Sequence, residues 1–204
     1  FYKGIAALAL EYRVGIVGGD VSSAPDGVFI ADLCLSGVCD QPVLRGRVGD
    51  GDGIWVTGEL GGSRLGKHCD FAPRVAEGIW LRSEGFAKSM IDVSDGIGKD
   101  LPALVGPFAV RVSDIPVSDA ARAAAGKSGS DPLRHAISDG EDYELLFAVP
   151  ASVEESEFAS RWRDQFATRL TRIGRVEGRA SSGVTEWLDS SGAPMGKVEG
   201  YEHF

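Results

Sequence analysis

Short apolar runs alternate along this chain with stretches of helical spacing, and Gly, Pro or Asp punctuates the joins between them. The runs at 54–57, 89–93, 108–112 and 143–149 read as strands, the last ending at Pro150. Helices are expected over 75–89, 97–105, 118–125, 132–138 and 152–167. The last of these carries Val153, Phe158, Trp162 and Phe166 at roughly helical spacing. Final strands are expected over 170–176 and 184–188. Strands and helices mix without strict β-α-β regularity and without an internal repeat, so the expected class is α+β. A chain of 204 residues has room for one large domain or two small ones.

The first part of the chain reads differently. Ile5, Leu8 and Ala9 share a helical face that Tyr2 and Tyr12 extend, so a helix is expected over 1–13. No Ser, Thr, Asp or Asn precedes it as a cap, which predicts that natural sequence extends upstream. Ile16-Val17 leads to Gly18-Gly19-Asp20, and after a turn at Pro25-Asp26-Gly27 a long strand is expected over 28–39. The Gly-, Asp- and Pro-rich stretch 40–53 is the best candidate boundary between this part and the rest.

Charge narrows the function classes. Thirty acids against 21 Lys plus Arg give a net charge of -9, and the basic residues are scattered, which argues against nucleic acid as a partner. No apolar run is long enough for a membrane helix and the N-terminal residues lack a basic leader, so a cytoplasmic protein with no membrane partner is expected. Cys34, Cys39 and Cys69 form no C-x-x-C pair, and free buried thiols are expected rather than a disulfide or zinc site.

Four segments carry candidate chemistry. Residues 61–68, Gly-Gly-Ser-Arg-Leu-Gly-Lys-His, approach the phosphate-loop pattern G-x-x-x-x-G-K-[ST]. His68 stands where a hydroxyl would bind magnesium, and Pro73 breaks the helix that should follow, so a tight strand-to-helix turn is expected instead. Asp92-Val93-Ser94-Asp95-Gly96 ends an apolar strand and can aim two carboxylates and a hydroxyl into one pocket, unless Ser94 or Asp95 simply caps the next helix. Asp139-Gly140-Glu141-Asp142-Tyr143-Glu144 packs four acids into six residues, a crowding that is unfavourable unless cations or basic groups sit nearby or the turn is solvated. Gly18-Gly19-Asp20 would let backbone approach phosphate, with a carboxylate for a metal.

Taken in order, VGGD, RGRVGDGDGIWVTGELG, PRV, MIDVSDGIGKDL, DGEDYELLFAVP and GYEHF resemble the later part of the thiamine-monophosphate kinase family, over nearly the whole chain. The related aminoimidazole-ribonucleotide synthetase, selenophosphate synthetase and hydrogenase-maturation families share its two-domain architecture and its use of ATP. The resemblance implies an aminoimidazole-ribonucleotide synthetase-like fold, with 1–46 a remnant of the N-terminal ATP- and metal-binding domain and 47–204 the C-terminal domain, a mixed sheet packed with helices. It implies ATP-dependent phosphorylation of thiamine monophosphate to thiamine diphosphate, with several magnesium ions. It implies a homodimer for the full-length family.

Residue by residue, the resemblance makes Asp20, Asp92 and Asp95 metal ligands, and it makes Gly19, Asp20, Arg45 and Ser94 ATP contacts, with Arg47 the alternative to Arg45. Glu141 and Tyr201 become contacts to the thiamine moiety. The chain departs from the family pattern at Val21, where a Thr is usual, and at Asp139, where G-G-E-D is usual. The family carries further acidic ligands upstream of these motifs, so weak or no turnover is expected of these residues alone. A non-catalytic nucleotide-binding remnant, or another ATP-dependent enzyme of the same superfamily, are the alternatives.

Overall fold

The computed structural model describes residues 1–196 and 198–201. It divides into two units, Phe1–Cys39 and Asp40–Phe204. In the first, helix α1 spans Tyr2–Glu11 and has no side-chain cap and no buried residue. Phe1 meets Phe29 edge-on, with ring centroids 5.2 Å apart. The turn at Pro25-Asp26-Gly27 forms, with Gly27 at φ 79° and the Val28 N–H donating to Pro25 O at 3.0 Å.

The long strand expected over 28–39 does not form; no residue of that stretch is in a strand. Its apolar side chains are exposed, Phe29 at 73% and Leu35 at 77%. The residues have β propensity, but a strand exists only as one side of a hydrogen-bonded ladder, and the described residues of this unit offer no second side. The cysteines depart from expectation for a related reason. Cys34, Cys39 and Cys69 are all exposed, the first two on this strandless stretch and the third at the end of a short surface turn.

The second unit holds a six-stranded mixed sheet. Its strands are β1 (Gly53–Thr57), β2 (Ser89–Asp92), β3 (Phe108–Val112), β4 (Leu145–Val149), β5 (Leu170–Arg179) and β6 (Glu186–Leu188). They lie in the order β2-β4-β1-β5-β3-β6, and the pairs are antiparallel except β3 with β6. The helices are α2 (Val75–Ser83), α3 (Ile97–Val105), α4 (Asp119–Ser128), α5 (Pro132–Ser138) and α6 (Glu155–Gln165). The expected helix over 75–89 stops short because Gly85, at φ 71°, reverses the chain ahead of β2. Among the described residues no helix is long and apolar enough to cross a membrane.

Two cores flank the sheet, and β1 and β4 feed both. On β4, Leu146 and Ala148 join a cluster with Val93, Ile97, Leu101 and Leu104, whereas Phe147 and Val149 face a second cluster with Leu81, Phe158 and Trp162. On β1, Ile54 and Val56 enter the first cluster and Trp55 the second. This is the period-two alternation of a strand covered on both faces, and it explains why these central strands read as continuous apolar runs. The aromatic cluster is dense: Phe158 lies within 5.2 Å of the Trp55 ring and 5.0 Å of the Phe86 ring, both measured between centroids.

Candidate functional site

The C-terminal ends of β1 and β2 and the start of β4 lie at one edge of three adjacent strands, with Asp92 opposite Leu145. The loops leaving them are therefore neighbours. The β2 loop (93–96) and the loop entering β4 (139–144) are joined by backbone bonds: Val93 N–H to Glu144 O, Tyr143 N–H to Val93 O and Glu141 N–H to Ser94 O, each 2.8 Å. Gly140 permits this contact. It sits at φ 69°, and a Cβ there would lie 2.6 Å from Ser94 O.

Residues 58–74 form the third loop. As expected they are a strand-to-helix turn, with short 3-10 turns at Ser63–Leu65 and Lys67–Cys69. Asp142 is fully buried and accepts from the Gly61 N–H at 2.9 and 3.0 Å and from the Ser63 hydroxyl. Asp139 accepts from the Gly62 N–H at 2.9 Å. Glu144 is buried against Thr57 Oγ1 at 2.7 Å and Lys67 Nζ at 2.8 Å, with Arg74 at 2.7 and 2.9 Å on its two oxygens. The acidic crowding is thus answered from within the protein. Sequence reasoning missed these roles of Lys67 and Arg74, because nothing in the 61–68 near-match to a phosphate loop linked it to the acidic segment.

The electrostatics sort the acids. Burial pushes the Asp142 carboxyl up to about 6, against the opposing pull of Ser63 and the Gly61 amide. Burial also pushes Glu144 upward, but the hydrogen bonds of Arg74 and Lys67 overcome it, and its carboxyl lies below the usual range. Asp100, on α3, is pushed up to about 6 by burial while it accepts the Ser94 and Asp95 N–H groups at 3.0 Å each. The capping of α3 is therefore unlike the simple expectation: the N-cap is Gly96 with no side-chain bond, and Asp100 holds the turn instead.

The resemblance-based residues fall as follows. Asp92 is exposed at the end of β2, and Ser94 and Asp95 are half-buried on the turn after it. Glu141 and Tyr143 flank Asp142 in left-handed backbone, at φ 59° and 51°, and the Tyr143 hydroxyl donates to Glu141 Oε2. Tyr201 lies beside this turn, its N–H donating to Asp95 O at 2.9 Å, and Arg64 lies over its ring at 4.4 Å. Glu202, His203 and Phe204 of the terminal motif lie outside the described residues. A cavity of about 600 Å³ opens between α5 and 198–201, with Arg134, Ile137, Asp139 and Tyr201 in its wall. Arg45 and Arg47 are both exposed, and the Arg47 N–H reaches Ser89 Oγ at 3.4 Å. In the first unit, Gly19 and Asp20 are exposed, and Asp20 accepts from the Ser22 hydroxyl at 3.1 Å. Among the described residues no three His, Cys, Asp or Glu are grouped to hold a metal ion.

No family model matches the chain. A thiamine-monophosphate kinase of Rhodopirellula baltica is 38% identical over 182 residues, 87% of this chain and 56% of the relative. Over most of its length the chain is thus similar to a thiamine-monophosphate kinase. A second thiamine-monophosphate kinase, from Pyrococcus abyssi, is 32% identical over 86% of this chain and 58% of its own length. The chain thus spans a little over half the length of these relatives.

The fold agrees. The crystal structure of thiamine monophosphate kinase from Aquifex aeolicus superposes with a TM-score of 0.66 at 22% identity, covering 95% of this chain and 67% of that one. AaThiL complexed with AMPPCP and TMP matches with a TM-score of 0.50 at 24% identity over 78% of this chain and 53% of its own. Escherichia coli HypE, a hydrogenase maturation protein, shares the fold with a TM-score of 0.52 at 19% identity, over 72% of this chain and 49% of its own. The aminoimidazole-ribonucleotide synthetase-like α+β fold is therefore present.

Proposed function

We propose that the protein serves ATP-dependent phosphorylation of thiamine monophosphate. The γ-phosphoryl of ATP would pass to the acceptor's phosphate oxygen as its bond to the β-phosphate oxygen breaks, giving thiamine diphosphate and ADP. The acceptor is already an anionic oxygen nucleophile, so the protein need supply no general base. Its task is to bring two like-charged species together. The observation that carries this reading is the joining of the 92–96 turn to the 139–144 loop at one edge of the sheet in a chain 38% identical to a thiamine-monophosphate kinase.

Asp92 and Asp95 offer hard carboxylate oxygens, the donor chemistry magnesium prefers, and phosphate oxygens with further donors would complete the shell. Magnesium, when bound, would neutralise phosphate charge. Around it, Ser94 would contact ATP, with Arg45 or Arg47 serving the same ligand; Gly19 and Asp20 of the first unit keep only the ATP and metal roles that the family resemblance implies. Glu141 would face the cationic thiazolium, and the Tyr201 ring would offer it a π face.

The test is isothermal titration of the 204-residue protein with ATP and with thiamine monophosphate, with and without magnesium, beside an assay for thiamine diphosphate. Binding of both ligands with slow turnover is the expected result. A protein that binds neither ligand overturns the reading. The alternative, a nucleotide-binding unit without turnover, would show magnesium-dependent ATP binding and no product.

A further inference from the structure

We propose that Tyr143 is the positioning residue that aims Glu141 at the cationic part of the substrate, with Phe71 holding the Tyr143 ring from behind. The inference rests on the thiamine reading above and names a further residue of the same site.

Three observations carry it. Tyr143 directs its hydroxyl to Glu141 Oε2, which leaves the other carboxylate oxygen of Glu141 outside that bond. The Tyr143 ring stacks on Phe71, with centroids 4.3 Å apart and planes 22° from parallel, so the phenol has little freedom to swing away. The backbone is spent on the same arrangement. Glu141 and Tyr143 both take left-handed conformations that bulky residues avoid, and the loop is held there by Glu141 N–H on Ser94 O and Tyr143 N–H on Val93 O. Between them Asp142 points inward to Gly61 and Ser63, so the loop alternates an inward anchor with two side chains committed to each other.

A carboxylate on a loop has several rotamers, and a cation gains full attraction only from one fixed near it. A neutral phenol is a suitable clamp, because it fixes one oxygen without neutralising the charge that recognises the ligand. Phe71 extends this logic to the 58–74 loop, which is itself fixed by Asp139, Asp142 and Glu144. The side chain proposed to read the substrate is thus tied to all three loops.

The experiment is titration of the protein with thiamine monophosphate, with thiamine and with magnesium-ATP, for wild type, Tyr143→Phe, Glu141→Gln and the double variant. Tyr143→Phe keeps the ring on Phe71 and removes only the hydroxyl, and unchanged thermal unfolding shows that the fold is kept. The expected result is a loss of about tenfold in affinity for both thiamine compounds, the scale of one charge-assisted hydrogen bond, with ATP affinity unchanged. Glu141→Gln should lose at least as much, and the double variant should lose no more than Glu141→Gln alone. Wild-type affinity in Tyr143→Phe alongside a weakened Glu141→Gln overturns the positioning role and leaves the thiamine reading standing, as does strict additivity in the double variant. Unchanged thiamine binding in Glu141→Gln, or none in wild type, overturns the thiamine reading and this proposal with it.

Discussion

Arg74 grips both oxygens of Glu144, at 2.7 and 2.9 Å, across seventy positions of sequence, and ties the start of α2 to the residue that leads into β4. Glu144 is 1% exposed, so its charge depends on Arg74 and Lys67 for compensation. Without Arg74 the carboxylate keeps Lys67 and Thr57 but loses two charge-assisted hydrogen bonds. Arg74→Met is expected to cost about 2–3 kcal/mol in urea unfolding, while the paired change Arg74→Met with Glu144→Leu recovers much of that loss. A loss below about 1 kcal/mol for Arg74→Met would place this pair with weak surface bridges.

Asp142 gives a pH signature of definite sign. Its carboxyl sits near 6 in the folded protein against an ordinary value near 3.8, so the folded state holds the proton more tightly than the unfolded state. Its stabilising contribution is complete below the ordinary value and is lost as pH rises through about 6. Each tenfold difference in proton affinity between the two states is worth about 1.4 kcal/mol, so the change is on the order of 3 kcal/mol. Asp142→Asn should flatten this part of the stability profile between about pH 4 and 7, read from unfolding midpoints. Equal slopes in both proteins would show that Asp142 titrates normally.

Gly140→Ala tests the joined loops. A methyl there meets Ser94 O at 2.6 Å in a left-handed backbone, and the strain should cost about 1–3 kcal/mol. Amide exchange should speed up at Glu141 and Tyr143, whose N–H groups make the joining bonds. Unaltered protection at both would mean that the two loops are held by something else.

Asp92→Asn and Asp95→Asn should each weaken magnesium-dependent ATP binding by more than about tenfold, and the double variant should lose less than the product of the two. Calorimetry in the presence and absence of magnesium gives the comparison. Retention of wild-type affinity in both single variants removes these residues from the metal site.

The exposed cysteines offer a quick check. Cys34, Cys39 and Cys69 should all react with an aromatic disulfide reagent in native buffer, at rates close to those in denaturant. Thiols that react only after unfolding would return them to a buried setting.

Much of the second unit is legible in the sequence because its signals are local. The helix at 132–138 carries Asp131 as an N-cap with Pro132 at its start, and the structure agrees to the residue. The strands at 54–57 and 108–112 are apolar runs closed by turn residues, and both appear. The stretch 28–39 has the same composition and forms no strand, since propensity cannot provide the ladder a strand requires. At the candidate site, the acidic crowding of 139–144 signalled neighbouring cations. That Lys67 and Arg74 supply them is a matter of strand order, which no local pattern encodes. The pairing of Tyr143 with Phe71 was out of reach for the same reason.

Because β4 sends alternate residues to opposite sides of the sheet, its alignment is locked twice over. A single-residue slip would drive Phe147 into space shaped for Leu146 and Ala148, and both hydrophobic layers would object at once. The acids ahead of Leu145 inherit that lock. Deleting Tyr143 would therefore keep Glu144 at the head of β4 and draw Asp142 one position off its seat on Gly61 and Ser63, whereas the exposed turn at 190–193 can change length without reaching either layer.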